Sequence, residues 1–222
     1  IPYLLDLYQS HDISSTFFIT GYIAKLYPDI VKIIAKNGHE IASHGLVHEV
    51  DKAFDVLSFE DQVRHLKEAK HLLEDLTSQQ VISFRAPALR VNHNTPSALE
   101  EAGFKIDSSI SPQRIDFFLS FGTVEKIKRI LSPRKIYYTS KNNLARRGNS
   151  NIVEVPVSSF FVPFVGSLMR ANNLLFKILR EMLVYEARYF GTAINYYMHP
   201  TEFIEEYSEG TIKVNRRTDI FF

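Results

Sequence analysis

The sequence predicts an α/β fold, a parallel sheet covered by helices that is either doubly wound or closed as a barrel. Two observations carry this. Short β-branched or aromatic runs alternate with helical patterns along most of the chain, and ionisable residues recur just beyond several of those runs. With 222 residues, 45% hydrophobic and 23% charged, the chain reads as one domain, residues 1–222, with enough apolar side chains for a sizeable core.

Ile1, Leu4, Leu5 and Tyr8 fall at i, i+3, i+4 and i+7, so an amphipathic helix opens the chain. His11-Asp12 is a turn, and Ser15 to Ile19 is a buried strand. Pro28 suits the first position of a helix carrying Ile30, Val31, Ile33 and Ile34, and Gly38 suits its stop. His39 to Ser43 is extended. Ser58-Phe59-Glu60-Asp61 resembles a capping box and opens a helix whose buried face is Leu66, Ala69, Leu72 and Leu73. Val81 to Phe84 is a strand, Thr95-Pro96 starts a helix that Gly103 ends, and Phe104 to Ile106 is extended again. From Asp107 to Asn151 the pattern weakens, and the basic run Lys141 to Arg147 reads as an exposed loop. Ile152 to Val157 is a strand, Leu174, Leu175, Ile178, Leu179 and Met182 form a helical stripe expected in the core, and Ala193 to Met198 is a last strand. The glycine-rich phosphate loop of a dinucleotide fold is absent.

Composition narrows the function. Lys and Arg number 26 against 25 Asp and Glu, so no global field favours nucleic acid. The chain has no cysteine, which excludes a thiol nucleophile and leaves His, Asp and Glu as metal ligands. The longest mainly apolar stretch, Phe160 to Met169, contains Pro163 and Gly166 and is far shorter than the ~20 residues of a membrane span. No signal region is visible, and localisation stays open. The first residue is Ile1 rather than methionine and lies directly in a helical pattern, from which an upstream segment is expected.

Ser43-His44, Arg85, Asp107 and His199 each follow a predicted strand, and in β/α barrels that end of the sheet is the mouth where sites are built. His44 and His48 lie four apart, a spacing that brings two imidazoles to one side of a helical turn and suits a shared divalent ion; two surface histidines are the competing account. Gly45 stands where a zincin helix needs Glu, which disfavours a metalloprotease. Arg85 is either a bidentate carboxylate anchor or a solvated loop arginine. His199 is either a general acid or base or a structural histidine. Glu154 lies in an apolar strand and is either a site residue or solvent-facing.

In order, these segments resemble the polysaccharide deacetylase family, the NodB-homology domain of the carbohydrate esterase family 4 type. Ser43-His44-Gly45-Leu46-Val47-His48 is similar to the family's metal motif, preceded by Gly38-His39-Glu40-Ile41-Ala42. Phe84-Arg85-Ala86-Pro87-Ala88 resembles its arginine motif, Gly103 to Ser109 the segment that follows, and Tyr197-Met198-His199-Pro200 its closing histidine motif. The resemblance implies a distorted (β/α) barrel, here lacking its first strand, that removes acetyl groups from an N-acetylated oligosaccharide or polysaccharide, a cell-envelope or exopolysaccharide glycan.

It further implies that His44 and His48 bind a divalent metal, usually zinc, that Arg85 orients a basic carboxylate, that His199 protonates the leaving amine, and that Asp107 supports His199. Pro87 and Tyr197 would line the substrate groove. The family's Thr-Phe-Asp-Asp strand end, which supplies the base and a third metal ligand, has no counterpart in the 222 residues: Asp6 lies within the opening helix and Asp12 in a turn. Little turnover is therefore expected of these residues alone. Thr201 stands where many relatives have tryptophan. Two other activities compete: a metal-independent relative acting on a small amide or cyclic ureide, and a carbohydrate-binding domain without catalysis.

Overall fold

The computed structural model describes residues 1–112 and 131–200. Within them the chain forms two units, the first built from residues 1–110 and 136–155, the second from the described residues among 111–135 and after 155.

In the first unit α1 (Pro2–Ser10) buries Leu4, Leu5 and Tyr8, as the opening periodicity predicts. It leads into β1 (Thr16–Ile19), α2 (Gly21–Leu26), α3 (Pro28–Lys36) and β2 (Glu40–Ser43). Helix α2 is too short to leave a periodic signature. It is nucleated by Thr20, whose hydroxyl accepts from the Ile23 amide at 3.2 Å. Helix α4 (Phe59–Thr77) starts at Ser58, whose Oγ accepts from the Asp61 amide, and stops at Ser78 in the left-handed region. Its inner face includes Leu66, Ala69 and Leu73, all fully buried. Burial of each leucine contributes about 1.5–3 kcal/mol. Strand β3 (Ser83–Phe84), helix α5 (Thr95–Glu101) and strand β4 (Ile106–Asp107) follow.

Strands β5 (Tyr137–Ser140) and β6 (Asn143–Arg147) form an antiparallel pair, and β7 (Val153–Glu154) completes a sheet ordered β1-β2-β3-β4-β7-β5-β6. From β1 to β7 the pairing is parallel. The register aligns one row of residues across it: Ile19, Ser43, Phe84, Asp107 and Glu154. The next residue along each strand is Thr20, His44, Arg85, Ser108 or Val155, so the predicted gathering of polar groups beyond the strand ends has a geometric origin.

The basic run 141–147 is not a solvated loop. Leu144 and Ala145 are buried, and the stretch from Asn143 is strand β6 at the sheet edge. The misreading has a simple cause: only two apolar residues, Leu144 and Ala145, stand between polar neighbours, too few to show either an apolar run or an alternation.

The second unit has the short antiparallel pair β8 (Ser159–Phe160) and β9 (Val162–Pro163), then α6 (Gly166–Ala171) and α7 (Asn173–Phe190). Asn172 caps α7 through the Leu175 amide at 2.9 Å, and Gly191 at φ +63° ends it. The stripe Leu174, Leu175, Ile178, Leu179, Met182 forms a helix as predicted but not a buried face. Leu179 and Leu183 are buried, whereas Leu174 is 70% and Ile178 50% exposed. The small cluster there is Phe164, Leu179 and Leu183, with Phe164 stacked on Phe176 at 4.7 Å. The predicted strand Ala193 to Met198 is also corrected: among the described residues it has a single bridge, Val165 to Tyr197, and no ladder that would make it a strand. Thr201 and residues 113–130 lie outside the described residues.

Substitution separates the two kinds of leucine on α7. Leu179→Ala should destabilise by about 2–5 kcal/mol in denaturant unfolding, whereas Leu174→Gln should stay within about 0.5 kcal/mol of the parent.

Candidate functional site

His44 follows β2 directly, and its amide donates to the Ile19 carbonyl at 2.9 Å. Its Nδ1 lies 2.6 Å from the Arg85 carbonyl oxygen. A carbonyl only accepts, so Nδ1 carries the hydrogen, and in a neutral imidazole Nε2 is then the nitrogen that can coordinate a metal.

The segment from His44 to His48 is irregular, not the helical turn that the four-residue spacing suggests. Two features shape it. Gly45 adopts φ +73°, and a Cβ there would lie 2.9 Å from Phe54 Cε2, so both backbone and packing call for glycine. The Gly45 and Leu46 carbonyls accept from the Gly21 and Tyr22 amides at 2.9 and 2.8 Å, which ties the loop to the first turn of α2. The result brings the His44 and His48 ring centres to 5.5 Å with 44° between planes. Two imidazoles on one tetrahedral ion, each bonded at about 2.0–2.1 Å, have ring centres about 5 Å apart. The separation of the two rings is close to that of two imidazoles sharing one divalent ion. Among the described residues no group of three His, Asp or Glu forms around a common point.

Arg85 is not a solvated loop arginine: it is 8% exposed. Its amide donates to the Ser43 carbonyl at 3.0 Å. Its Nε and Nη2 donate to the Ser108 carbonyl and hydroxyl at 2.9 and 2.7 Å, and the guanidinium lies 4.3 Å over the Phe18 ring. Ser108 in turn donates to the Val155 carbonyl at 2.7 Å. Pro87 is buried in the short turn Pro87–Leu89.

Asp107 is one row earlier than Arg85 and fully buried. Its two oxygens accept from the Ser109 amide at 3.1 Å and hydroxyl at 2.7 Å. The Ser109 Oγ itself accepts from the Ala86 amide at 2.8 Å, so Asp107 braces the arginine turn. Its register partner Glu154 is also fully buried, and Glu154 Oε1 accepts from the Ile110 amide at 3.0 Å. The sequence leaves Glu154 between site and solvent, and the structure resolves this in favour of the interior. Burial raises the pKa of both carboxyls, and the charge of Asp107 raises Glu154 further, well above the ordinary range. The signal that points to this pair is an acidic residue in each of two apolar strands, and it is legible only once their register is known.

In the second unit the Tyr197 carbonyl accepts from the Gly166 amide at 3.0 Å. His199 is exposed, and its ring meets Tyr197 edge-on at 6.0 Å.

Among the described residues no helix is long and apolar enough to cross a membrane. Residues 1–106 match the family model described as polysaccharide deacetylase. The chain is 38% identical over 96 residues to the peptidoglycan deacetylase-like protein FGM2 of Gibberella zeae, covering 43% of this chain and 28% of that one. It is 31% identical over 110 residues to a peptidoglycan deacetylase of Helicobacter pylori, covering 50% and 36%. The chain thus spans well under half the length of these curated relatives. A crystal structure from Mycobacterium smegmatis assigned to the polysaccharide deacetylases has a TM-score of 0.65 at 23% identity, covering 91% of this chain and 65% of that one. That likeness bears on the fold, the NodB type of distorted barrel.

The carboxyl pair gives the protein a pH signature. A raised folded pKa means that its stabilising contribution is complete below the ordinary values, 3.8 for Asp and 4.5 for Glu, and is lost as pH rises through the folded pKa. Denaturant midpoints should therefore fall above pH 4.5, and Glu154→Gln, which stays neutral, should flatten that slope. Parallel slopes in the two proteins would mean that Glu154 is ionised in the fold.

Proposed function

We propose, from the match of residues 1–106 to the polysaccharide deacetylase family, that the protein is a metal-dependent de-N-acetylase acting on an N-acetylated glycan. The observation that carries this reading is the convergence of the His44 and His48 rings, with the His44 Nδ1 held by the Arg85 carbonyl. Among the family's chemistries, amide hydrolysis makes use of such a pair.

A divalent ion, zinc by preference, would polarise the acetamide carbonyl and lower the pKa of water toward about 7. His44 and His48 are the side chains that would hold it. Arg85, clasped by Ser108 and stacked on Phe18, supplies a fixed positive charge just beyond the end of β3 for the orientation of a carboxylate. Asp107 acts from beneath, holding the Arg85 to Pro87 turn through Ser109. When the C–N bond breaks, the amine nitrogen must gain a proton, and the reading assigns this to protonated His199. Pro87 and Tyr197 are assigned to the walls of the sugar groove. No described Asp or Glu joins the imidazoles in a three-ligand group, so the acceptor of the water's proton is left to a residue outside that group.

The relatives named for peptidoglycan make peptidoglycan fragments the first substrate to try, with chitooligosaccharides beside them. Full-length protein loaded with zinc or cobalt should release acetate from one of these. His199→Ala should lower kcat by about 10²–10⁴-fold, and His44→Ala or His48→Ala should abolish zinc retention measured by metal analysis. Failure to release acetate from any N-acetylhexosamine oligomer would overturn the reading. Glycan binding without turnover would point to a binding domain, and turnover without metal to a metal-independent C–N hydrolase.

A further inference from the structure

The loop between His48 and α4 has little secondary structure of its own: one short turn of 3-10 helix at Val50–Lys52. Its carbonyls are collected by side chains. Gln62, in the first turn of α4 and fully buried, donates from Nε2 to the Phe54 carbonyl at 2.9 Å and the Leu57 carbonyl at 3.2 Å. Asn92 donates from Nδ2 to the Asp55 and Leu57 carbonyls, each at 3.3 Å. The two amides are joined, Gln62 Nε2 to Asn92 Oδ1 at 2.9 Å. Beside them Arg90 pairs with the buried Asp55 carboxylate at 2.8 Å and donates to the Val50 carbonyl at 3.2 Å. Asn92 is itself anchored to the start of α5 through the Asn94 amide and Thr95.

What this network immobilises is Phe54, which is 1% exposed, with its ring 4.9 Å from Phe84 and its Cε2 edge against Gly45. Phe54 is the floor under the turn that separates His44 from His48. Stability alone does not explain the arrangement. Gln62 Oε1 and Asp55 Oδ1 are buried and make no hydrogen bond among the described residues, a deficit that an apolar filling of the same volume would not carry. Polar networks of this kind specify one arrangement among several. The adjoining turn is also strained, with Ala88 at φ +51° and Leu89 at φ +55°.

We propose that Gln62 and Asn92, with the Asp55 and Arg90 pair, are positioning residues that set the separation of the two imidazoles by fixing Phe54 beneath Gly45. The proposal rests on the metal-site reading above for its effect on affinity, and on the metal-free protein for its effect on the loop.

Zinc titration of the full-length protein by calorimetry, with cobalt absorption spectra as a second probe, tests the first. Asn92→Asp and Gln62→Glu keep side-chain size but remove donors, and each should weaken zinc by about tenfold or more. Leu73→Ala is the control. It removes core packing 11 residues further along α4, about 16 Å from Gln62, and should lower the melting temperature with zinc affinity unchanged. In the metal-free protein, exchange of the Gly45 to Phe54 amides should speed up in both amide variants and not in the control. If either variant is unfolded by circular dichroism, Arg90→Lys replaces it. Parental zinc affinity and parental amide exchange in the amide variants would overturn the proposal. If His44→Ala binds zinc as tightly as the parent, the metal-site reading falls, and the amide exchange alone decides whether the clamp exists.

Discussion

Arg85 is the crossing point of the first unit. Its amide donates to Ser43, its carbonyl receives the His44 ring, and its guanidinium clasps Ser108. Three consecutive strand ends are thus joined through one residue, and each bond is possible because the parallel register brings residues 44, 85 and 108 to one level. A slip of a single residue in β3 would turn the guanidinium to the other side of the sheet. The positions of the imidazole and of the guanidinium are therefore consequences of strand pairing before they are consequences of any loop.

Much of this was legible in the sequence, and for identifiable reasons. Helices α1, α3, α4 and α5 announce themselves by period, by proline at the first turn and by glycine or a left-handed residue near the stop. The placement of His44 and Arg85 beyond strands was visible because β2 and β3 end in runs with no competing helical pattern. Other features depended on partners that lie far along the chain. Ala193 to Met198 has the composition of a strand but lacks a ladder, and β6 has a ladder but not the composition. The stripe on α7 has a helical period, yet period alone does not say how much of a stripe finds a partner, and Leu179 does while Leu174 does not.

The same distinction applies within the site. His44 and His48 stand out as residue types at a suggestive spacing, but the spacing suggested the wrong local geometry: the rings converge through a glycine with positive φ rather than around a helical turn. Gln62 and Asn92 carry no motif at all. They are ordinary polar residues whose importance comes from the bonds they make to distant carbonyls and to each other, and those bonds are a property of the assembled fold. Asp107 and Glu154 illustrate the converse. Each is a conspicuous charge in an apolar stretch, and burial raises the pKa of both, that of Glu154 further through the charge of Asp107.

The edge strand β6 has a further consequence, for solubility. An open sheet edge is a template on which another chain can add a strand, and long, flat, uncharged edges are the most adhesive. Here the parallel strands give way to an antiparallel hairpin whose outermost member ends in exposed Arg146 and Arg147, and whose pairing with β5 is broken by a register shift between Thr139 and Ser140. The positive charges repel a second copy of the same edge, and the irregularity denies an incoming strand a straight row of donors and acceptors. A stretch that resembles a solvated basic loop thus guards the sheet against self-association.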